Sequence, residues 1–308
     1  MKNVKYHQKN QLQWGLRLIL AMVTLVGIVL GAQEAFAQVA QSHYSDFNIP
    51  DTEVKFLIDA EQVLDTNGNL LPEMAHLFGG MNRDRGRRIT MQFMDTPDQA
   101  FNADGWIHRI RYRHWNQPSE GYQLTYRRRV PIGSVNHANI RAAMDQARED
   151  GFGDWDMNLD WSYRSAVLTL SYTVNTGPGI LSPLSDGVAS GRLLKDHMPA
   201  HVAALYSEAM LAAFDDVVVH GPVTFRRYEF NFPGTNERIL RIEVLPIKTV
   251  NGDGIDRIVE VSFEMEHEGR LEVISARRDQ IQGILEQAGI LIPENGLRTS
   301  TILERYGR

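Results

Sequence analysis

The sequence contains no cysteine in its 308 residues. Disulfide bonds, zinc–thiolate sites and a cysteine nucleophile are therefore excluded. The sequence also lacks an excess of basic residues, because its formal net charge is −6. No nucleic-acid partner is predicted on the basis of bulk charge. With 43% hydrophobic and 23% charged residues, the composition is that of a globular protein of one large or two medium domains.

Only one apolar run is long enough to suggest a membrane or an export signal, and it lies near the N-terminus. Four basic residues between Lys2 and Arg17 precede the apolar residues 18–32, and the small residues Ala35 and Ala37 follow. This order predicts a signal peptide over residues 1–37. An uncleaved membrane anchor is the alternative, although the run is shorter than the ~20 residues of a spanning helix. We therefore predict a periplasmic or secreted protein.

The rest of the chain alternates apolar and polar side chains in short stretches, which is typical of β-strands. The predicted strands are residues 51–58, 88–94, 107–114, 122–130, 161–174, 223–232, 238–247 and 257–266. Helices are predicted over residues 138–150, 193–214 and 277–288. Because short turns join most of the strands, the pattern favours an α+β fold with an antiparallel sheet over a doubly wound sheet.

Charged side chains recur with a period of two on several predicted strands, which places them on one face of each strand. Arg109, Arg111 and Arg113 share such a face, and so do Arg127 and Arg129. A face exposed to water is one interpretation. However, neighbouring guanidinium groups near 4 Å repel by ~1 to ~4 kcal/mol, so the row favours a bound anion. Arginine also matches phosphate oxygens with two hydrogen bonds.

Several motifs follow one another in an order and spacing that resemble a known family. They are Asp51-Thr-Glu53-Val-Lys55, Phe93-Met-Asp95-Thr-Pro97, Arg109-Ile-Arg111, Leu124-Thr-Tyr-Arg127, Arg226-Arg227 and the acidic pair Glu260 and Glu264. Together they resemble the CYTH, or triphosphate tunnel metalloenzyme, family. The stretch from residue 91 to residue 130 is the most specific part of the resemblance.

The resemblance implies a closed antiparallel barrel of about eight strands that forms a tunnel, with flanking helices. Residues 38–308 would form a single tunnel domain, with a divergent helical insertion around residues 131–220. The charged faces of the strands would line the tunnel and the apolar faces would point outward toward the helices.

The resemblance also implies metal-dependent hydrolysis of inorganic tripolyphosphate or an organic triphosphate. The residues implied to bind phosphate are Lys55, Arg109, Arg111, Arg127, Arg226 and Arg227. The residues implied to hold Mg²⁺ or Mn²⁺ are Asp51, Glu53, Glu260 and Glu264, of which Glu260 and Glu264 would also be catalytic. Two alternatives stay open: a tunnel that binds polyphosphate or another anion without cleaving it, and a structural or interaction barrel of the cell envelope.

Overall fold

The computed structural model describes residues 49–78, 86–113, 121–177, 186–266, 270–295 and 298–306. The signal peptide predicted over residues 1–37 lies outside these ranges and stays a prediction. Within them, no helix combines the length and the apolar character needed to cross a membrane.

Within the described ranges, ten strands form one sheet. In chain order they are β1 (Asp51–Ile58), β2 (Arg87–Asp95), β3 (Trp106–Arg113), β4 (Gln123–Ile132), β5 (Asp156–Trp161), β6 (Ala166–Asn175), β7 (Val218–Phe230), β8 (Leu240–Lys248), β9 (Ile255–Met265) and β10 (Leu291–Ile292). The spatial order is β1-β5-β6-β4-β3-β2-β7-β8-β9, and β9 pairs back onto β1. Nine strands therefore close a barrel, and the two-residue β10 adds to the edge of β1.

The closed barrel confirms part of the predicted fold and corrects two details of it. The barrel has nine strands, not about eight, because β5 lies just before the predicted strand 161–174 and forms a hairpin with β6. Its turn lies between Trp161 and Ala166, where the Ser162 amide donates to the Ser165 carbonyl at 2.9 Å. The sheet is also mixed, not antiparallel, because β1 and β5 run parallel.

Short helices surround the barrel. They are α1 (Ala60–Val63), α2 (Glu73–Leu77), α3 (Ala100–Ala103), α4 (His137–Ala147), α5 (Gly187–Asp196), α6 (Ala200–Ala203), α7 (Glu208–Ala213), α8 (Leu271–Gln287) and α9 (Arg298–Tyr306). An irregular turn over Arg148–Phe152 extends α4, and a 3₁₀ turn over Phe214–Asp216 follows α7. The stretch around 131–220 thus contributes β5 and β6 to the barrel as well as helices.

The two faces of β1 show how the strands divide polar from apolar side chains. Val54, Phe56 and Ile58 are almost fully buried in the main apolar core outside the barrel, which also contains residues of α8. Glu53 and Lys55 alternate with them and line the interior. The charged face of the strand therefore points inward, as predicted, and the apolar face packs under the helices.

One end of the barrel interior is filled by apolar side chains, in contrast to the charged half. The filling residues from β2, β3, β7 and β8 are Ile89, Met91, Phe93, Ile107, Val223, Phe225, Leu245 and Ile247. Helix α9 packs Ile302 and Leu303 against them, and both side chains are almost fully buried. We call this the closed end; it lies away from the end at which β1 begins.

A buried aromatic cluster lies outside the barrel, between β3 and the helices of residues 187–216. His108 is at its centre, fully buried, with rings of Phe101 and Phe214 within 5 Å of its own. Its Nε2 atom is 3.0 Å from the hydroxyl of Tyr206. Because burial disfavours the charged imidazolium, it lowers the pKa of His108 to about 3.

Candidate functional site

The charged half of the barrel interior encloses a cavity of about 320 Å³, which we call the chamber. Its basic lining residues are Lys55, Arg109, Arg111, Arg113, Arg127, Arg129, Arg227 and Arg241. Its acidic lining residues are Glu53, Asp156, Glu260 and Glu264. The excess of basic over acidic side chains makes the chamber suited to a polyanion.

The hairpin of β3 and β4 supplies most of the positive charge. In its register Arg109 lies opposite Thr125 and Arg111 lies opposite Gln123, so each arginine has a polar neighbour on the next strand. Arg109 donates to the Thr125 hydroxyl at 3.2 Å, and Arg111 donates to the Gln123 amide oxygen at 2.7 Å. These bonds hold the guanidinium groups in fixed orientations toward the chamber.

The adjoining strands β5 and β6 supply partners that fix two further cations of the chamber. Arg127 donates to the Ser171 hydroxyl of β6 at 3.0 Å. The Lys55 ammonium lies 2.7 Å from Glu53 and 2.9 Å from Asp160 of β5. Thr169 donates to the other oxygen of Asp160 at 2.7 Å.

The carboxylate of Asp160 stabilises the positive charges of Lys55 and Arg127. The carboxyl is almost fully buried, which by itself would raise its pKa. The positive charges of Lys55 and Arg127, with the hydrogen bonds from Lys55 and Thr169, more than offset this and hold the pKa below its usual range. Asp160 therefore stays ionised, and its negative charge offsets the positive charges of Lys55 and Arg127.

The last strands place carboxylates at two depths. Glu264 lies directly opposite Glu53 near the end at which β1 begins, and it is bound by Arg241 at 2.8 Å. Glu260 lies four residues before it on β9, about 13 Å away along the strand at roughly 3.3 Å per residue and farther from the mouth. Burial raises the pKa of Glu260 to about 8, with Lys55 opposing the shift and Glu53 adding to it. Its carboxyl therefore carries a proton near neutral pH.

A second cavity of about 670 Å³ adjoins the chamber, and we call it the vestibule. Asp156, Asn158 and Glu264 line both cavities. Trp155 of the α4–β5 connection and Asp51, the first residue of β1, line the vestibule alone. The chamber therefore communicates with the outside at the end where β1 begins.

Comparison with models of known protein families gives no match for this chain, and no curated protein matches its sequence. Solved structures do match. One is HpAC1 from Hippeastrum, a candidate adenylyl cyclase described as having a dominant triphosphatase activity. The TM-score is 0.50 at 14% identity, over 83% of this chain and 95% of that one. The chain has a CYTH-like fold.

Two further structures overlap more loosely. A candidate adenylate cyclase from Bacillus halodurans is 14% identical, with a TM-score of 0.42, over 82% of this chain and 97% of that one. Another from Vibrio parahaemolyticus is 12% identical, with a TM-score of 0.37, over 83% of this chain and 99% of that one. At these identities the likeness concerns the fold of the CYTH-like barrel alone.

Most of the site residues inferred from the sequence come together in the chamber of this CYTH-like barrel. They are Glu53, Lys55, Arg109, Arg111, Arg127, Arg227, Glu260 and Glu264. Two others lie elsewhere. Asp51 lines the vestibule, and Arg226 is exposed on the outer side of β7, where it donates to the Asn69 side chain.

The structure adds lining residues that the motifs did not select. Arg113 and Arg129 continue the two-residue period of the β3 and β4 arginines, so the signal for them was present. Asp160 was missed because β5 was not recognised as a strand. The alternation of Asp156, Asn158 and Asp160 along β5 was the signal that could have revealed it.

The carboxylates of the chamber suit a divalent cation in their chemistry. Within the described residues, no three His, Cys, Asp or Glu side chains are grouped so as to hold an ion by themselves. Mg²⁺, however, usually takes one or two carboxylates together with substrate phosphates and water. Glu53 and Glu264, opposite each other on β1 and β9, provide such a pair beside the cationic wall. The residues therefore fit a metal that binds with its phosphate ligand.

Proposed function

We propose that this protein hydrolyses inorganic tripolyphosphate or an organic triphosphate in the chamber, with Mg²⁺ or Mn²⁺ as the metal. The observation that supports the proposal most is the inward-facing set of eight basic and four acidic side chains in one enclosed cavity. Fixed guanidinium groups can stabilise the charge that spreads over the oxygens of a transferred phosphoryl group.

In this proposal the basic side chains bind the phosphate chain, and the acidic side chains bind the metal and donate a hydrogen bond to phosphate. Arg109, Arg111, Arg127 and Arg227 hold phosphate oxygens, and Lys55 adds a point charge. Arg226 has no part, because it lies outside the barrel.

Glu53 and Glu264 hold the metal, with Asp51 beside Glu264 at the vestibule. When bound, the metal would neutralise charge on the phosphate oxygens that lie near the mouth of the chamber. Glu260, whose raised pKa keeps it protonated, donates a hydrogen bond to a phosphate oxygen deeper in the chamber.

A phosphate-binding protein without turnover is the second candidate. The ion pairs of Glu53 with Lys55 at 2.7 Å and of Glu264 with Arg241 at 2.8 Å favour it, because they already engage the carboxylates that a metal would need. A tight anion complex would need no metal at all. Turnover and binding must therefore be measured separately.

The test measures phosphate release from tripolyphosphate with and without Mn²⁺, and binding of the same compound by calorimetry. We expect metal-dependent release that is lost in Glu53→Gln and Arg111→Ala. Arg226→Ala is the matched control, because it removes an arginine of the same barrel from its outer side, and it should keep full activity. Binding without release would favour the second candidate, and neither binding nor release would refute both.

We also propose that the protein acts in the periplasm or outside the cell, as its N-terminal sequence predicts. Nucleotides are scarce outside the cytoplasm, so inorganic tripolyphosphate or short polyphosphate is the substrate that best suits this location. Cell fractionation and mass determination of the processed chain test the proposal directly.

A further inference from the structure

The chamber has one mouth among the described residues. The vestibule joins it at the end where β1 begins, through Asp156, Asn158 and Glu264. At the opposite side the interior is filled by the apolar residues of the closed end. The barrel is therefore a blind pocket in its described part, and not a passage that runs from end to end.

The floor of the pocket is built by helix α9. Thr299 at the start of this helix lines the chamber and is 6% exposed. Its hydroxyl accepts a hydrogen bond from Arg129 at 3.2 Å. One turn further, Ile302 and Leu303 are buried in the apolar filling. The charged side chains of the chamber therefore contact helix α9 directly, and this helix closes the inner end of the chamber.

We infer that the chamber accepts a phosphate chain only end-on, and therefore selects ligands with at least one unsubstituted terminal phosphoryl group. The inference rests on the proposed function and names the class of compound that its site takes. The terminal phosphoryl group enters from the vestibule toward the floor, and the rest of the compound stays at the mouth. Linear polyphosphate and singly substituted triphosphates meet this condition.

A phosphate chain that is substituted at both ends does not meet it. To bring its phosphates between the arginines of β3 and β4, it would have to carry a bulky end group into a cavity of about 320 Å³ that ends in packed apolar side chains. A cyclic phosphate has no terminal phosphoryl group that could enter the chamber first. In both cases the charge-assisted hydrogen bonds of the chamber are lost, while attraction at the mouth remains.

The experiment compares binding of matched ligands to the full chain by calorimetry, without metal and therefore without a requirement for turnover. Adenosine triphosphate has one free end, whereas diadenosine tetraphosphate has none and carries the same formal charge when fully ionised. Linear tripolyphosphate and cyclic trimetaphosphate form the inorganic pair. We expect diadenosine tetraphosphate to bind about 100-fold more weakly than adenosine triphosphate, since several charged hydrogen bonds are forfeited. The inorganic pair should differ in the same direction, with the lower charge of trimetaphosphate adding to the effect.

The outcomes separate this inference from the proposed function. Equal affinity for the two nucleotides would overturn the end-on inference while leaving a phosphate site in place. No measurable binding of any of the four compounds would refute the phosphate site itself. Arg111→Ala serves as a check on location: it should remove the preference for the free-ended ligand, whereas Arg226→Ala on the outer side should keep it.

Discussion

The ion pair between Lys55 and Asp160 gives a quantitative test of the charged interior. Lys55→Met leaves the Asp160 carboxylate without its nearest cation, at a site where the two side chains are 12% and 6% exposed. Breaking a buried pair from one side costs about 3–5 kcal/mol, because the remaining charge stays desolvated. We therefore expect Lys55→Met to lower the free energy of unfolding by about that amount.

The surface pair of Lys195 and Asp215 provides the control. It has nearly the same geometry, 2.8 Å between nitrogen and oxygen, but the side chains are 40% and 65% exposed. Lys195→Met should cost only about 0–1 kcal/mol, because water screens the pair. Asp160→Asn should also cost more than Lys195→Met, since it leaves Lys55 and Arg127 without this buried counterion.

Urea unfolding followed by tryptophan fluorescence measures these differences from the midpoint and slope of each curve. The deficit of Lys55→Met should shrink as the pH falls below the usual pKa range of an aspartate. In the variant Asp160 takes up its proton at a higher pH than in the wild type, where its pKa is depressed. Equal losses in Lys55→Met and Lys195→Met, with no dependence on pH, would refute the reasoning.

Four further predictions follow from other parts of the chain. Between pH 6.5 and about 3 only the unfolded state protonates His108, so acidification lowers the free energy of unfolding by up to ~1.4 kcal/mol per pH unit. His108→Phe should remove this contribution, and unfolding curves at several pH values test it. Leu303→Ala should cost about 2–5 kcal/mol in the same assay, since it opens a cavity in the closed end. Arg127→Ala should weaken tripolyphosphate binding about tenfold or more, whereas Arg128→Ala, over the outer face of a tryptophan ring, should not change it. Mass spectrometry of the exported protein should find a chain that begins after Ala37.

The sequence alone predicts the strands whose two faces differ clearly. β1 was predicted with its observed bounds, because Val54, Phe56 and Ile58 alternate with charged residues. Between β8 and β9 the sequence Asn-Gly-Asp-Gly at 251–254 is typical of a hairpin turn, and the two strands pair there. Period-two alternation placed the arginines on one face and favoured a bound anion, because crowded arginines are unfavourable without a counterion. The family resemblance then predicted that this face lines the interior.

Other features depend on contacts that alternation does not encode. On β7 both faces carry apolar residues, such as Phe225 inside and Tyr228 outside, because α9 fills the interior at the closed end. The alternation therefore did not show which side chains of β7 face inward, and it could not tell whether Arg226 or Arg227 points into the barrel. No helix or strand was predicted after residue 288, but Ile302 and Leu303 of α9 pack into the closed end of the barrel. No local sequence pattern indicated that β1 and β5 pair in parallel.

The central position of β1 has a consequence for how the molecule forms. Its partner β9 lies roughly two hundred residues later in the chain, so the ring cannot close until nearly the whole polypeptide is available. Such long-range pairing is slow compared with local hairpins. We expect the hairpins of β3–β4 and β8–β9 to assemble early and the seam at β1 to form last. A chain that stays open at its seam during synthesis would remain extended enough to be threaded through a translocation channel before it folds.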